Sequence, residues 1–200
     1  MSYTEQHLQE TVAIVQKLDV DAIERMVSLL AQIKASAGRI FFLGVGGGAG
    51  NCSHAVNDFR KLLGIECYTP ADNVSELTAR INDDGWESAY AEWLKVSRLG
   101  PRDAVFVLSV GGGSTEHGVS RNLVAAVDYA RETGAKIIGI LGRDGGHTAQ
   151  LADVAVIVPT VNPNTITPHT EALQAVIWHL LVSHPALGPK DAKWESTTQR

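Results

Sequence analysis

Through residues 5–35 the apolar positions recur at helical spacing, first Leu8, Val12, Ile14, Val15 and Leu18, then Ile23, Met26, Val27, Leu30 and Ile33. The Asp-rich step at 19–21 interrupts them as a turn and N-cap, which predicts two helices or one interrupted helix. Beyond it the pattern changes. Short β-branched and aromatic runs at 39–43, 65–68, 104–108, 136–141 and 155–158 read as strands. Longer segments at 52–63, 72–79, 87–97, 116–132 and 171–183 read as helices, with turn chemistry at 82–85 and a stop at Gly134. Strands alternating with helices predict an α/β fold, a three-layer sandwich whose mainly parallel sheet is covered on both faces, with an N-terminal helical segment. The expected organisation is one domain over 1–200: helical segment 1–36, α/β core 37–184, and a tail 185–200 that is loose or packs on a partner subunit.

Two of these units echo one another. The stretch 39–51, RIFFLGVGGGAGN, and the stretch 104–115, AVFVLSVGGGST, each run from a strand through glycines toward a helix. Glycines let the backbone approach an anion, and the following helix offers free N–H groups at the positive end of its dipole. In a parallel sheet both loops lie outside the carboxyl ends of the strands, where ligands bind. A small anionic ligand is the expectation.

Composition narrows the field. At 200 residues, with 44% hydrophobic and 20% charged positions, the chain suits a globular fold, and a formal charge of −5 without a basic stripe argues against a nucleic-acid partner. Two cysteines, Cys52 and Cys67, are too few for a disulfide framework, and no apolar run approaches a membrane span. A cytoplasmic setting is expected, with no membrane association.

Residues 44–49, GVGGGA, also satisfy the dinucleotide pattern, with Glu66 about twenty residues beyond the turn in the place of a ribose-binding acid. A nicotinamide enzyme is therefore one reading, but it leaves the second glycine loop without a task. The chain resembles the sugar isomerase (SIS) domain, in particular its phosphoheptose isomerase branch, over roughly residues 5–184. The resemblance rests on 44–48, then His54 and Asp58 on one helix, Asn82-Asp83, the loop 109–114, the block 141–146 (LGRDGG), and Ala152-Asp153 before a strand ending at Pro159. Where the family carries an asparagine this chain has Val45, and Gly111 and Gly113 replace side-chain donors. The family's C-terminal Gln-Glu-x-His aligns with 170–173, which lacks the histidine, while His169 stands just upstream.

The resemblance implies aldose–ketose isomerisation of a phosphorylated sugar, sedoheptulose 7-phosphate being the expected substrate. It places Asp58, His54, His169 and Glu171 in acid–base roles. Gly46, Gly47, Gly48, Asn51, Asn82, Asp83, Ser109, Gly111, Gly112, Gly113, Ser114 and Thr115 would contact substrate. His54 and Asp58 are four apart and share a helix face, although a surface pair would look the same. Glu171 and His169 equally fit ordinary capping after Pro168. His54, Asp58, His169 and Glu171 together could hold a divalent metal such as zinc, nitrogen and oxygen donors being suitable, although no cofactor is required. Glu116 and His117 are expected to open a helix, with His117 a further candidate imidazole. Trp178 and His179 read as core or subunit contact, and His7, His147 and His184 carry no pattern. The alternative from another class is a non-catalytic SIS module that senses a sugar phosphate or binds a protein. A homodimer or homotetramer is expected from the N-terminal helices.

Overall fold

The short apolar runs form β1 (Ile40–Gly44), β2 (Cys67–Tyr68), β3 (Ala104–Ser109), β4 (Lys136–Leu141) and β5 (Val154–Ile157). In the computed structural model, which describes residues 1–193 and residue 197, they pair in parallel in the order β2–β1–β3–β4–β5. Every residue of β1 and β3 is buried, as expected of central strands covered on both faces.

The covering helices are α1 (Tyr3–Val15), α2 (Val20–Ala35), α3 (Gly47–Asp58), α4 (Val74–Asp83), α5 (Ala89–Val96), α6 (Arg121–Thr133), α7 (Gly146–Leu151) and α8 (Ile166–Ser183). On one face of the sheet α2, α3 and α8 pack Met26, Leu30, Cys52, Ile177 and Trp178 onto Phe42 and Phe106. Phe42 and Phe106 stack at 4.9 Å, with the Phe59 edge 5.1 Å from Phe42. On the other face α5 and α6 pack Tyr90, Leu94, Leu123 and Val127 around Phe41 and Leu43. Asp19 caps α2 by accepting from the Ala22 N–H at 2.9 Å, the break expected between the first two helices. Burial raises both cysteine thiols, so Cys52 and Cys67 behave as small apolar side chains.

Several boundaries differ from expectation, each for a local reason. α3 starts at Gly47 because the glycine run itself forms the first turn, and after Asp58 the helix widens into a π turn over Phe59–Leu63. α6 starts at Arg121, because residues 114–119 fold back in a small hairpin joined by an antiparallel bridge between Ser114 and Val119. α8 starts at Ile166, since Pro168 in a first turn sacrifices an N–H that has no intrahelical partner. α4 takes Asn82 and Asp83, expected as turn residues, into its last turn.

The beginning of the tail is not loose. Pro185–Leu187 forms a short 3-10 turn, Leu187 is buried and its carbonyl accepts from Lys34 Nζ at 2.7 Å, and the Lys190 N–H reaches the Leu62 carbonyl at 2.9 Å. Residues 194–196 and 198–200 of the expected tail lie outside the described residues. Among the described residues no helix is long and apolar enough to cross a membrane.

Candidate active site

β1 delivers the chain to Gly44, whose carbonyl accepts from the buried Tyr90 hydroxyl at 2.7 Å, and burial pushes that phenol up to about 12. A methyl group on Gly48 would strike the Leu108 carbonyl of β3, and one on Gly47 would lie 2.6 Å from Glu171 Oε1. The glycine run therefore lets the first turn of α3 sit against β3 while the Glu171 carboxylate of α8 closes on it. That carboxylate occupies the amino end of α3, where the helix dipole favours negative charge. Asn51 braces the same junction, its Nδ2 donating to the Glu171 carbonyl at 3.1 Å and to Gln174 Oε1 at 2.8 Å. Its amide is committed to α8, which differs from the expected role as a substrate contact.

One and two turns further along α3 stand His54 and Asp58. Asp58 is 8% exposed, and its carboxylate accepts from Trp178 Nε1 at 3.2 Å and from Asn57 Nδ2 at 3.0 Å. Its Oδ2 lies 3.4 Å from His54 Nε2 and 3.4 Å from His179 Nε2. The two imidazole rings meet edge-on at 5.2 Å, both half-exposed, so a buried carboxylate opens to solvent between them. His179 was expected in the core or at a subunit contact. Only Trp178 is buried there; at the next position on α8 the 100° turn of the helix carries His179 onto Asp58. The signal available in the sequence was weak: Glu171 and His179 lie eight residues apart on α8, about 80° apart around the helix.

The second loop is built differently. Ser109 Oγ accepts from the Gly112 N–H at 3.1 Å, the His147 N–H donates to the Gly113 carbonyl at 2.9 Å, and Thr148 donates from N and Oγ1 to the Gly112 carbonyl at 3.0 and 2.7 Å. These bonds strap the loop to the start of α7. Gly112 and Gly113 have φ of 66° and 82°, and a Cβ on Gly113 would lie 2.9 Å from Val124 Cγ2, so both need glycine. Beside the loop opens a cleft of about 510 Å³ lined by Gly111, Ser114, Thr115, His117, Arg143 and His147 among others. Ser114 Oγ accepts from the His117 N–H and meets its Nδ1, each at 3.1 Å. Glu116 and His117 thus belong to the hairpin and not to a helix start.

The quartet expected to share a metal is divided. His169 is 3% exposed and turns to α1: its Nε2 lies 2.9 Å from Glu10 Oε2 and its ring stacks on His7 at 4.2 Å. Glu171 stays with the first glycine loop. Among the described residues, the donors that converge, with ligand atoms within 4.8 Å of one another, are His54, Asp58 and His179 in one group and His7, Glu10 and His169 in another. Asn82 and Asp83 are exposed at the end of α4, where Asn82 Nδ2 donates to Asp83 Oδ1 at 2.7 Å. Glu66 does not stand where a ribose would bind: it precedes β2, and its carbonyl accepts from the Ile40 N–H at the amino end of β1.

The sequence profile of the SIS domain matches residues 3–142. The lincomycin biosynthesis protein LmbN of Streptomyces lincolnensis is 32% identical over 190 residues, covering 88% of this chain and 66% of its own length, so the chain spans just under two thirds of that relative. A phosphoheptose isomerase of Syntrophotalea carbinolica is 31% identical over 182 residues, covering 88% of this chain and 86% of its own. In three dimensions the phosphoheptose isomerase GmhA of Neisseria gonorrhoeae superposes with a TM-score of 0.78 at 23% identity, covering 90% of this chain and 95% of its own.

Proposed function

Because the chain belongs to the SIS domain family, we propose that it is an aldose–ketose isomerase of a phosphorylated sugar, with a seven-carbon ketose 7-phosphate as substrate. The observation that carries this reading is the convergence of Asp58, His54 and His179 from two helices. Isomerisation removes a proton from C1 of the ketose while the C2 carbonyl oxygen gains one. The enediol then gives up the O1 proton, and C2 receives a proton, leaving the aldehyde at C1. A buried carboxylate flanked by two imidazoles supplies these transfers: Asp58 takes the carbon-bound proton, and His54 and His179 serve the oxygens.

The same donors suit a divalent ion such as zinc: two imidazoles and a carboxylate, open on the solvent side where both rings are half-exposed. When bound, such an ion polarises the sugar carbonyl as a Lewis acid. Glu171, partly exposed against Gly47, is the carboxylate left to act as base if Asp58 is a ligand.

The phosphate is assigned to the 109–115 loop and its cleft. Arg143 reinforces that assignment: it holds a φ of 51° and lays its Cδ 3.8 Å from where a Cβ of Gly111 would stand. The first glycine loop is the poorer phosphate site because the Glu171 carboxylate already lies there. The non-catalytic alternative rests on the missing C-terminal histidine and on Val45 in place of the first-loop asparagine; His179 answers the first of these and leaves the second. On α1 the exposed row Leu8, Val12 and Val15 recurs at i, i+4 and i+7, which supports self-association through that helix. A reaction on phosphorylated sugars, with both cysteines free, fits the cytoplasm.

The test is incubation with sedoheptulose 7-phosphate in deuterium oxide, followed by NMR. The expected result is a new aldose carrying deuterium at C2, since the proton on an acid–base group exchanges with solvent. A protein that binds the sugar yet produces neither aldose nor label would overturn the assignment.

A further inference from the structure

At the opposite end of α8 from His179, a second group of donors has no place in the reaction proposed above. It joins α1 to the first turn of α8. We infer that His7, Glu10 and His169 form a binding site for a divalent transition-metal ion, which fastens α1 to α8.

The carboxylate is held ready for the ion. Glu10 Oε1 accepts from Gln6 Nε2 at 2.8 Å and Asn162 Nδ2 at 2.6 Å, while Oε2 accepts from Thr165 Oγ1 at 2.8 Å and faces His169 Nε2 at 2.9 Å. These four contacts, from Gln6, Asn162, Thr165 and His169, fix both carboxylate oxygens in place. Partners of this kind orient ligand groups in metal sites.

The imidazoles complete the set. His169 is buried against the carboxylate. His7 stacks on it with an interplanar angle of 23°, and among the described residues its buried Nδ1 has no hydrogen-bond partner. An acid–imidazole pair needs only His169 and Glu10, so it gives no account of a second imidazole with a buried, unsatisfied nitrogen. An ion does. Two nitrogens and a carboxylate oxygen within 4.8 Å of one another match the donor preference of zinc and its neighbours in the first transition row.

The required movement is small on one side and definite on the other. Metal–ligand bonds of about 2.0–2.2 Å span a tetrahedral edge of roughly 3.3 Å. The His169–Glu10 separation of 2.9 Å therefore opens by a few tenths of an ångström, the ion replacing the proton on that line. His7 turns out of its stack toward the pair, and because His7 and Glu10 are only partly buried, solvent supplies the remaining ligand.

Cobalt(II) is the probe, because its visible absorption reports nitrogen and oxygen coordination. In the double variant His54→Gln/His179→Gln, which removes both imidazoles of the other group, one Co²⁺ per chain should remain bound by equilibrium dialysis and raise the melting temperature. Adding His7→Gln should weaken that binding at least about tenfold, the scale of losing a supporting group at a metal site, and abolish the thermal shift. No Co²⁺ in the double variant, or equal binding with and without His7, overturns the inference. If the double variant does not fold, His7→Gln in the otherwise unaltered protein should lower the ion count by one, from two to one, or from one to zero if the active-site group holds none. An unchanged count overturns it equally.

Discussion

The two glycine loops begin alike and end in different chemistry. Both follow a fully buried central strand, and both use glycine where any side chain would collide. The first passes straight into α3, and its free helix start is met by the protein's own carboxylate, Glu171. The second is tied by three hydrogen bonds to α7 and detours through a hairpin before α6, leaving a cleft edged by Arg143, His147 and the hairpin hydroxyls. A sequence motif thus specifies a backbone that can accept an anion, and the neighbouring elements decide whether the anion is internal or comes from a ligand. This contrast underlies the proposal that proton transfer belongs to the first loop's helix and phosphate holding to the second.

Exchanging the expected effects is the way to break that comparison. Asp58→Asn should lower turnover by about 10²–10⁴-fold, with sugar-phosphate affinity, measured by calorimetry, nearly unchanged. Ser114→Ala should do the reverse, weakening binding by about 1.5–3 kcal/mol, the worth of a hydrogen bond to a charged group. If Ser114→Ala spares affinity while a change at the first loop abolishes it, the assignment of the two loops is reversed.

Gly47→Ala sharpens the reading of the first loop. The added methyl group meets the Glu171 carboxylate, and overpacking of this kind costs about 1–3 kcal/mol. Combined with Glu171→Ala, much of that loss of stability should return in a denaturation cycle; additive losses would mean that the carboxylate does not press on the glycine. In the second loop Gly113→Ala should cost about 1–2 kcal/mol, from a φ of 82° that L-residues disfavour, seen as a lower melting temperature.

The smallest effect concerns acid. Glu10 has a pKa held near 2 in the folded chain against 4.5 ordinarily, so the stability it contributes is complete above about 4.5 and is lost as pH falls toward 2. Glu10→Gln should flatten that part of the stability–pH curve. A curve of unchanged shape would show that the four hydrogen bonds on this carboxylate do not stabilise its charge.

Much of the fold was legible in the chain because it depends on local patterning. The apolar runs at 104–108 and 136–141 became strands almost residue for residue, and Asp19 capped the helix it was expected to cap. What resisted reading was set by long-range packing. Nothing local distinguishes a helix start at 116 from a hairpin over 114–119; the strap from Gly112 and Gly113 to α7 decides it. His169 beside Pro168 looked like a displaced active-site imidazole, yet its partner is Glu10, 159 positions away. His179 was hidden by its apolar neighbours, since Trp178 and Leu181 are core while His179, one of the two residues between them, faces Asp58.

The π turn at Phe59–Leu63 gives this site a tolerance that an unbroken helix would lack. A π turn holds one residue more than an α turn of the same height, so it acts as a joint where the phase of a helix can be reset. Residues before it include the proposed acid–base pair His54 and Asp58, while Phe59 and Leu63, buried at 0% and 3% exposure, pack into the hydrophobic interior. Deleting one residue from this turn should remove the extra residue and let α3 run on as a regular helix toward Gly64. Because the extra residue is taken up locally, the proposed acid–base pair on α3 and the apolar anchors of the π turn need not share one helical phase.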